Sequence, residues 1–224
     1  MLDRFKTFWQ TKALAPFIRL FLRLGISPDA VTLVGTLGVS AGALAFFPQG
    51  MIWQGVLVIT AFVFSDLIDG QMARTLGRKD MFGAFLDSTL DRVADAALFG
   101  GIALYFAWVT EQRMYLVLSL VVLAMGAVTS YARAKADHLG YDAKVGVAER
   151  PDRLVGLLVP AFFADVLDLP VLLEISMWVL AIASTVTVVQ RIWVVRRQAL
   201  AGKGAQAGPV TGSGTGSGTG SPNG

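Results

Sequence analysis

The sequence has no cysteine, a single histidine and few charges: 16% of its 224 residues, against about 25% in an ordinary soluble domain. Without cysteine, disulfides, zinc–thiolate sites and thiol nucleophiles are all excluded. The one histidine, His138 beside Leu139-Gly140, reads as structural or exposed rather than as a metal ligand. No secretory leader is evident, because Lys12, Pro16 and Arg19 interrupt the first apolar stretch and no small-residue cleavage site follows it. No internal repeat is visible. Apolar residues make up 54% of the chain, with mean hydropathy +0.61, and they come in long runs. A net charge of +3 and a pI near 9.4 would suit nucleic acid if the basic residues formed one stripe. They flank the apolar runs instead, as membrane-bordering residues do, and nucleic acid is not an expected partner.

A hydrocarbon core is spanned by about 20 apolar residues. Six segments qualify as candidate helices, at 30–48, 51–74, 84–108, 114–137, 153–169 and 172–197. The expected fold is an all-α integral membrane protein of six transmembrane helices in the lipid bilayer. Residues 1–24 differ: Leu2, Phe5, Phe8, Trp9, Phe17, Ile18, Phe21 and Leu24 recur at helical spacing between basic residues. Such a segment lies in the interface as an amphipathic helix, broken here by Pro16. Gly25 suits a C-cap, and Ser27-Pro28-Asp29 reads as the N-cap and first turn of the first span. Residues 25–200 form the expected six-helix domain. Residues 201–224 turn abruptly to Gly, Ser, Thr and Pro and read as a disordered tail or an appended remnant. Of nineteen Lys and Arg, eighteen fall on one side of these spans and Arg113 alone on the other. That asymmetry puts both termini in the cytoplasm of a plasma-membrane protein. The five tryptophans mostly fall near span ends, as aromatic belts do.

Within the second and third runs lie Ser65-Asp66-Leu-Ile-Asp69-Gly70-Gln-Met-Ala73-Arg74 and Gly83-Ala-Phe-Leu-Asp87-Ser-Thr-Leu-Asp91. Asp66 and Asp69 are i,i+3 on a helix, and Asp87 and Asp91 are i,i+4, so each pair points one way. Four unpaired carboxylates at roughly 2.5–3.5 kcal/mol each would cost on the order of 10 kcal/mol in a bilayer, comparable with the whole stability of a fold. Neutralisation by Arg74, Arg78, Lys79 and Arg92 is one answer. Oxygen-only ligands at this density also suit hard divalent cations such as Mg2+, Mn2+ or Ca2+. Asp95 continues the Asp87–Asp91 face by one more step and could support the others.

The spacing D-x2-D-G-x2-A-R-x8-G-x3-D-x3-D resembles the signature of the CDP-alcohol phosphotransferases at Asp66, Asp69, Gly70, Ala73, Arg74, Gly83, Asp87 and Asp91. Eight fixed positions in a 26-residue window are specific, and the likeness extends over about residues 1–200. The resemblance implies two metal ions, Mg2+ or Mn2+, with Asp66, Asp69 and Asp87 as principal ligands. Asp91 would be the general base, touching one metal as well. It implies CDP-diacylglycerol as donor, with Gly70, Ala73, Arg74 and Gly83 beside it, and a homodimer. Physical tasks fit these residue types: two metals can neutralise a leaving diphosphate, glycine admits close approach, and Arg74 adds fixed positive charge. Pro28, Asp29 and Thr32 would border the nucleotide, although helix capping accounts for them equally. Gly38-x3-Gly42 and Gly100-Gly101 serve either the dimer or packing within the chain.

For the acceptor, the informative residues are Ser130, Arg133, Lys135, Arg153 and Arg191, near the cytoplasmic ends of helices 4, 5 and 6. Arg133 and Lys135 are two apart and cannot share a helical face. Lys135 is the preferred pocket member and Arg133 the membrane-flanking one. Arg191, embedded in Val-Val-Gln-Arg-Ile-Trp-Val-Val, requires a defined anionic partner. Converging cations suit an acceptor that carries its own phosphate. Tyr131-Ala-Arg-Ala-Lys135 and Glu149-Arg150-Pro151-Asp152-Arg153 are most similar to the actinobacterial phosphatidylinositol-phosphate synthase branch of that family. This branch implies inositol 1-phosphate as acceptor and phosphatidylinositol phosphate and CMP as products. Glycerol 3-phosphate is the alternative acceptor, and a divalent-cation transporter is the rival from another class. A transporter, however, would spread its acids along a path and would not need Gly70 or Arg74.

Overall fold

The computed structural model describes Phe21, residues 23–63, Met72 and residues 81–206, with side chains as far as Ala201. Every element among these residues is helical. Six α-helices follow in order: α1 (Pro28–Phe46), α2 (Ile52–Val63), α3 (Met81–Trp108), α4 (Arg113–His138), α5 (Arg150–Val166) and α6 (Val171–Gln206), with a short 3-10 turn at Phe47–Gln49.

Local chemistry sets several of these ends. Ile26 N–H donates to Phe21 O at 3.0 Å across Gly25, which sits at φ +71°, the closing bond of a Schellman stop. Ser27 Oγ then accepts from Ala30 N–H at 3.2 Å, and Pro28 opens α1 with the φ a helix needs. At α5 the Asp152 carboxylate accepts from Glu149 N–H at 2.9 Å and Pro151 sits in the first turn. The helix therefore starts three residues before the expected 153. α6 runs past the expected 197 to Gln206. Ala, Leu, Lys and Gln in 199–206 are strong helix formers and outweigh about 1 kcal/mol for each glycine there. Residues 1–20 and 22 of the expected interfacial segment 1–24, the end of the second span and the tail beyond 206 lie outside the described residues.

The helices pack as a ring. α1 lies against α2 and α3, α4 against α3 and α6, and α5 against α6 and α2. Its core is apolar: Phe47, Ile59, Leu98, Phe99, Ile102, Phe106, Val122, Leu157 and Met177 are all at most 2% exposed. Close approach of α1 to α2 needs glycine, since a Cβ at Gly38 would lie 2.3 Å from the Phe62 ring. A Cβ at Gly101 would lie 2.7 Å from Ala43 O where α3 crosses α1. Packing within the chain thus uses both. The outside of the ring is also apolar, with Leu37, Val155, Ile182, Val189 and Ile192 each more than half exposed. A surface of that kind belongs in lipid. Three described helices are long and apolar enough to cross a membrane, at Pro28–Gln49, Arg113–His138 and Val171–Ala201. α3 carries Asp87, Asp91, Arg92 and Asp95 in its first half, and α5 has only 17 residues.

Candidate active site

The charges of α3 form a stripe. Asp87, Asp91 and Asp95 follow one another at single helical turns. Asp87 is exposed, while Asp91 and Asp95 are 21% and 15% exposed and border a cavity of about 420 Å³. α4 contributes Thr129, Ser130, Arg133 and Asp137 to its wall, the start of α5 contributes Arg150 and Arg153, and α6 contributes Arg191. Glu149, at the N-cap of α5, completes that side.

The acids and arginines are matched across helices. Arg150 spans one turn of α3, with Nη1 2.7 Å from Asp91 Oδ1 and Nε 3.3 Å from Asp95 Oδ1. Arg153 Nη2 lies 3.1 Å from Asp95 Oδ2, so each oxygen of Asp95 holds a different arginine. Arg153 is 1% exposed, and its Nη1 donates to Ala148 O at 3.2 Å. Arg191, 3% exposed, donates from Nε to Val145 O (2.8 Å), from Nη1 to Thr129 O (2.7 Å) and from Nη2 to Glu149 Oε1 (3.1 Å). Arg133 Nη1 reaches the same Glu149 oxygen at 3.8 Å. A guanidinium has five N–H donors. Arg191 therefore retains two after its bonds to the protein. Thr129 Oγ1 and Arg153 Nε, both on wall residues, are buried with no hydrogen-bond partner among the described residues. Among the described residues five arginines, Arg92 on α3 included, face four carboxylates and leave this wall net positive. Such a lining attracts an anion.

Of the residues expected to bind the acceptor, Ser130, Arg133, Arg153 and Arg191 share this wall. Lys135 does not. Lys135, the preferred pocket member, is exposed and off the cavity, and Arg133 is on it. The physical reason is helical phase. Arg133 follows Thr129 by four residues and precedes Asp137 by four, whereas Lys135 is turned about 160° away from Arg133 at 3.6 residues per turn. Pro28 and Thr32 are buried at the start of α1, with Thr32 Oγ1 donating to Pro28 O at 3.1 Å, and Asp29 is half-buried in the first turn. None of the three lines the cavity. Gly83 is half-buried one turn before Asp87. Asp66, Asp69, Gly70, Ala73 and Arg74 lie outside the described residues. Met72, inside the signature, is fully buried against Val31, with Phe21 and Ile26 beside it. Sequence reasoning named Glu149 and Arg150 within a motif but gave them no place in the site. A signal existed: Arg150 and Arg153 are i,i+3 and share a face at the start of α5.

Among the described residues no three acids come together as a metal site, and no histidine lines the cavity. Asp87 and Asp91 offer carboxylate oxygens one turn apart, the donor chemistry that a hard divalent ion takes.

Residues 25–189 match the CDP-alcohol phosphatidyltransferase family. A phosphatidylinositol phosphate synthase of Streptomyces avermitilis is 47% identical over 213 residues, covering 92% of this chain and 87% of that one. One of Cutibacterium acnes is 46% identical over 204 residues, covering 88% and 98%. The crystal structure of Mycobacterium tuberculosis phosphatidylinositol phosphate synthase with CDP-DAG bound is 40% identical with TM-score 0.78, covering 81% of this chain and 92% of that one. The same mycobacterial enzyme in complex with manganese and citrate also gives TM-score 0.78, over 81% and 88%. The signature in the sequence, the helical ring and these matches agree: the chain is a membrane enzyme of the CDP-alcohol phosphatidyltransferase family.

Proposed function

We propose that the chain transfers the phosphatidyl group of CDP-diacylglycerol to inositol 1-phosphate, giving phosphatidylinositol phosphate and CMP. One observation carries the choice of a phosphorylated acceptor. Two almost fully buried arginines, Arg153 and Arg191, line a cavity that Asp91 also lines, and that wall is net positive. A phosphate dianion matches arginine forks with donors to spare. Supporting the inositol acceptor are the names of the relatives above.

In this reading Arg133, Arg153 and Arg191, with the Ser130 hydroxyl, bind the acceptor phosphate and aim its free hydroxyl at Asp91. The Asp91 carboxylate takes the hydroxyl proton. The hydroxyl oxygen bonds to the phosphorus bearing diacylglycerol, and the bond from that phosphorus to the bridging oxygen breaks, releasing CMP. Arg150 Nη1, 2.7 Å from Asp91 Oδ1, orients that carboxylate within the cavity. Asp66, Asp69, Asp87 and Asp91 would hold two divalent ions, Mg2+ or Mn2+, which when bound supply charge neutralisation on the diphosphate. Gly70, Ala73, Arg74 and Gly83 would border the CDP-lipid, with Pro28, Asp29 and Thr32 nearby.

The same reading has six spans, residues 1–24 in the interface, and termini and site facing the cytoplasm at the plasma membrane. A second copy would use the outer apolar faces, where Gly100 has open space, because Gly38 and Gly101 pack within the chain. A cation transporter is disfavoured by the positive wall. CMP release by purified protein, with inositol 1-phosphate, glycerol 3-phosphate or unphosphorylated inositol, is the deciding assay. Turnover with inositol 1-phosphate that stops on chelation is expected. Turnover with glycerol 3-phosphate alone would replace the acceptor, and turnover surviving chelation would remove the metals.

A further inference from the structure

We infer that Asp95, which lies outside the family signature, is a positioning residue. It fixes Arg150 and Arg153 so that the cavity binds the acceptor phosphate. This rests on the acceptor reading above.

Geometry makes the case. The two carboxylate oxygens of Asp95 are each matched to a different cavity arginine: Oδ1 to Arg150 Nε at 3.3 Å, and Oδ2 to Arg153 Nη2 at 3.1 Å. Arg153 is 1% exposed, so its counter-ion is not replaceable by water. The other contacts of its guanidinium are neutral. Nη1 donates to Ala148 O at 3.2 Å, and the planar group lies over Gly126, where a Cβ would stand 3.2 Å from Cζ. Asp95 therefore supplies both the charge balance and the rotational setting of Arg153.

Arg150 is held differently. Its fork reaches from Asp95 to Asp91, which are i,i+4 on α3. Anchoring Nε on Asp95 sets Nη1 on Asp91 Oδ1. Asp95 thus supports the acceptor site and orients Arg150 beside the base.

The test uses the full chain in detergent, with CMP release as readout. Each substrate is varied in turn, and folding is followed by thermal unfolding. Asp95→Asn keeps shape but cannot balance two guanidinium groups. It is expected to raise KM for inositol 1-phosphate about tenfold or more, with KM for CDP-diacylglycerol within about twofold of wild type. Asp95→Glu keeps the charge one methylene further out, and its acceptor KM should fall between wild type and Asp95→Asn. An unchanged acceptor KM in a folded variant, or equal rises in both KM values, would overturn the role. If Asp95→Asn does not fold, Asp95→Glu decides: a raised acceptor KM with the lipid KM unmoved supports the role, and both unmoved rejects it. Failure of the acceptor reading would appear in the wild type, as turnover of glycerol 3-phosphate but not inositol 1-phosphate. The Asp95 comparison is then run on glycerol 3-phosphate, because the role concerns the phosphate.

Discussion

Asp91 meets two demands at one carboxylate. It borders the cavity at 21% exposure, and Arg150 holds its Oδ1 at 2.7 Å. Asp91→Asn preserves the shape and removes both the proton acceptor and the counter-ion. We expect kcat to fall by about 10²–10⁴, the usual worth of a general base, while the protein still folds. Substantial residual turnover in that variant would take the role from Asp91. Gly126 makes a subtler prediction. A Cβ there would press on Arg153 at 3.2–3.3 Å, tighter than ordinary contact, so the guanidinium must move by a few tenths of an ångström. Gly126→Ala should raise the acceptor KM severalfold while leaving kcat nearly unchanged, and an unaltered KM would show that Arg153 tolerates the shift. At this scale the sequence reveals a residue when spacing alone fixes its neighbours. Asp87 and Asp91 share a face by arithmetic, and Arg191 stands out against valine and isoleucine. The choice between Arg133 and Lys135 depended on which side of α4 meets α3 and α6, and that is a property of packing.

Helix ends follow the same division. Ser27-Pro28-Asp29 marks the start of α1 because capping is local chemistry, and Ser27 does accept from Ala30 N–H. The start of α5 hides in Glu149-Arg150-Pro151-Asp152, where the capping acid lies inside a charged run that resembles a loop. The segment between α4 and α5 is legible neither as helix nor as strand, yet it is pinned to α6. Thr187 Oγ1 accepts from Val147 N–H at 3.1 Å and Ala148 N–H at 3.0 Å, and Gln198 brackets Asp142 from both sides. Arg191 Nε adds a bond to Val145 O. This strap presents Glu149 to the cavity. Thr187→Val keeps the shape and removes the acceptor, leaving two backbone donors unmet. A loss of roughly 2 kcal/mol is expected. For a chain of this size that corresponds to a fall of about 4–8 °C in Tm. Limited proteolysis should also cut sooner within 141–149, and a variant as stable and as resistant as wild type would show that the strap is not held there.

The whole molecule is oriented by where its positive charges lie. By the expected spans, eighteen of nineteen Lys and Arg fall on the side where Arg133, Arg150, Arg153 and Arg191 gather, with Arg113 on the other. Positive residues resist translocation, so this end should face the cytoplasm, where a phosphorylated sugar acceptor would be available. The α5–α6 connection, with Asp165 and Asp168, should then face outward. The absence of cysteine makes this directly measurable, because an introduced cysteine is the only thiol in the chain. Lys144, in the strap, and Leu169, beyond α5, are both exposed and lie on opposite sides of the proposed membrane. In intact cells a membrane-impermeant maleimide should label Leu169→Cys at once and Lys144→Cys only after the membrane is opened. Equal labelling of both in intact cells would place the two connections on one side and break the even number of spans between the termini. Labelling of Lys144→Cys alone would invert the protein and put the arginine-lined cavity outside.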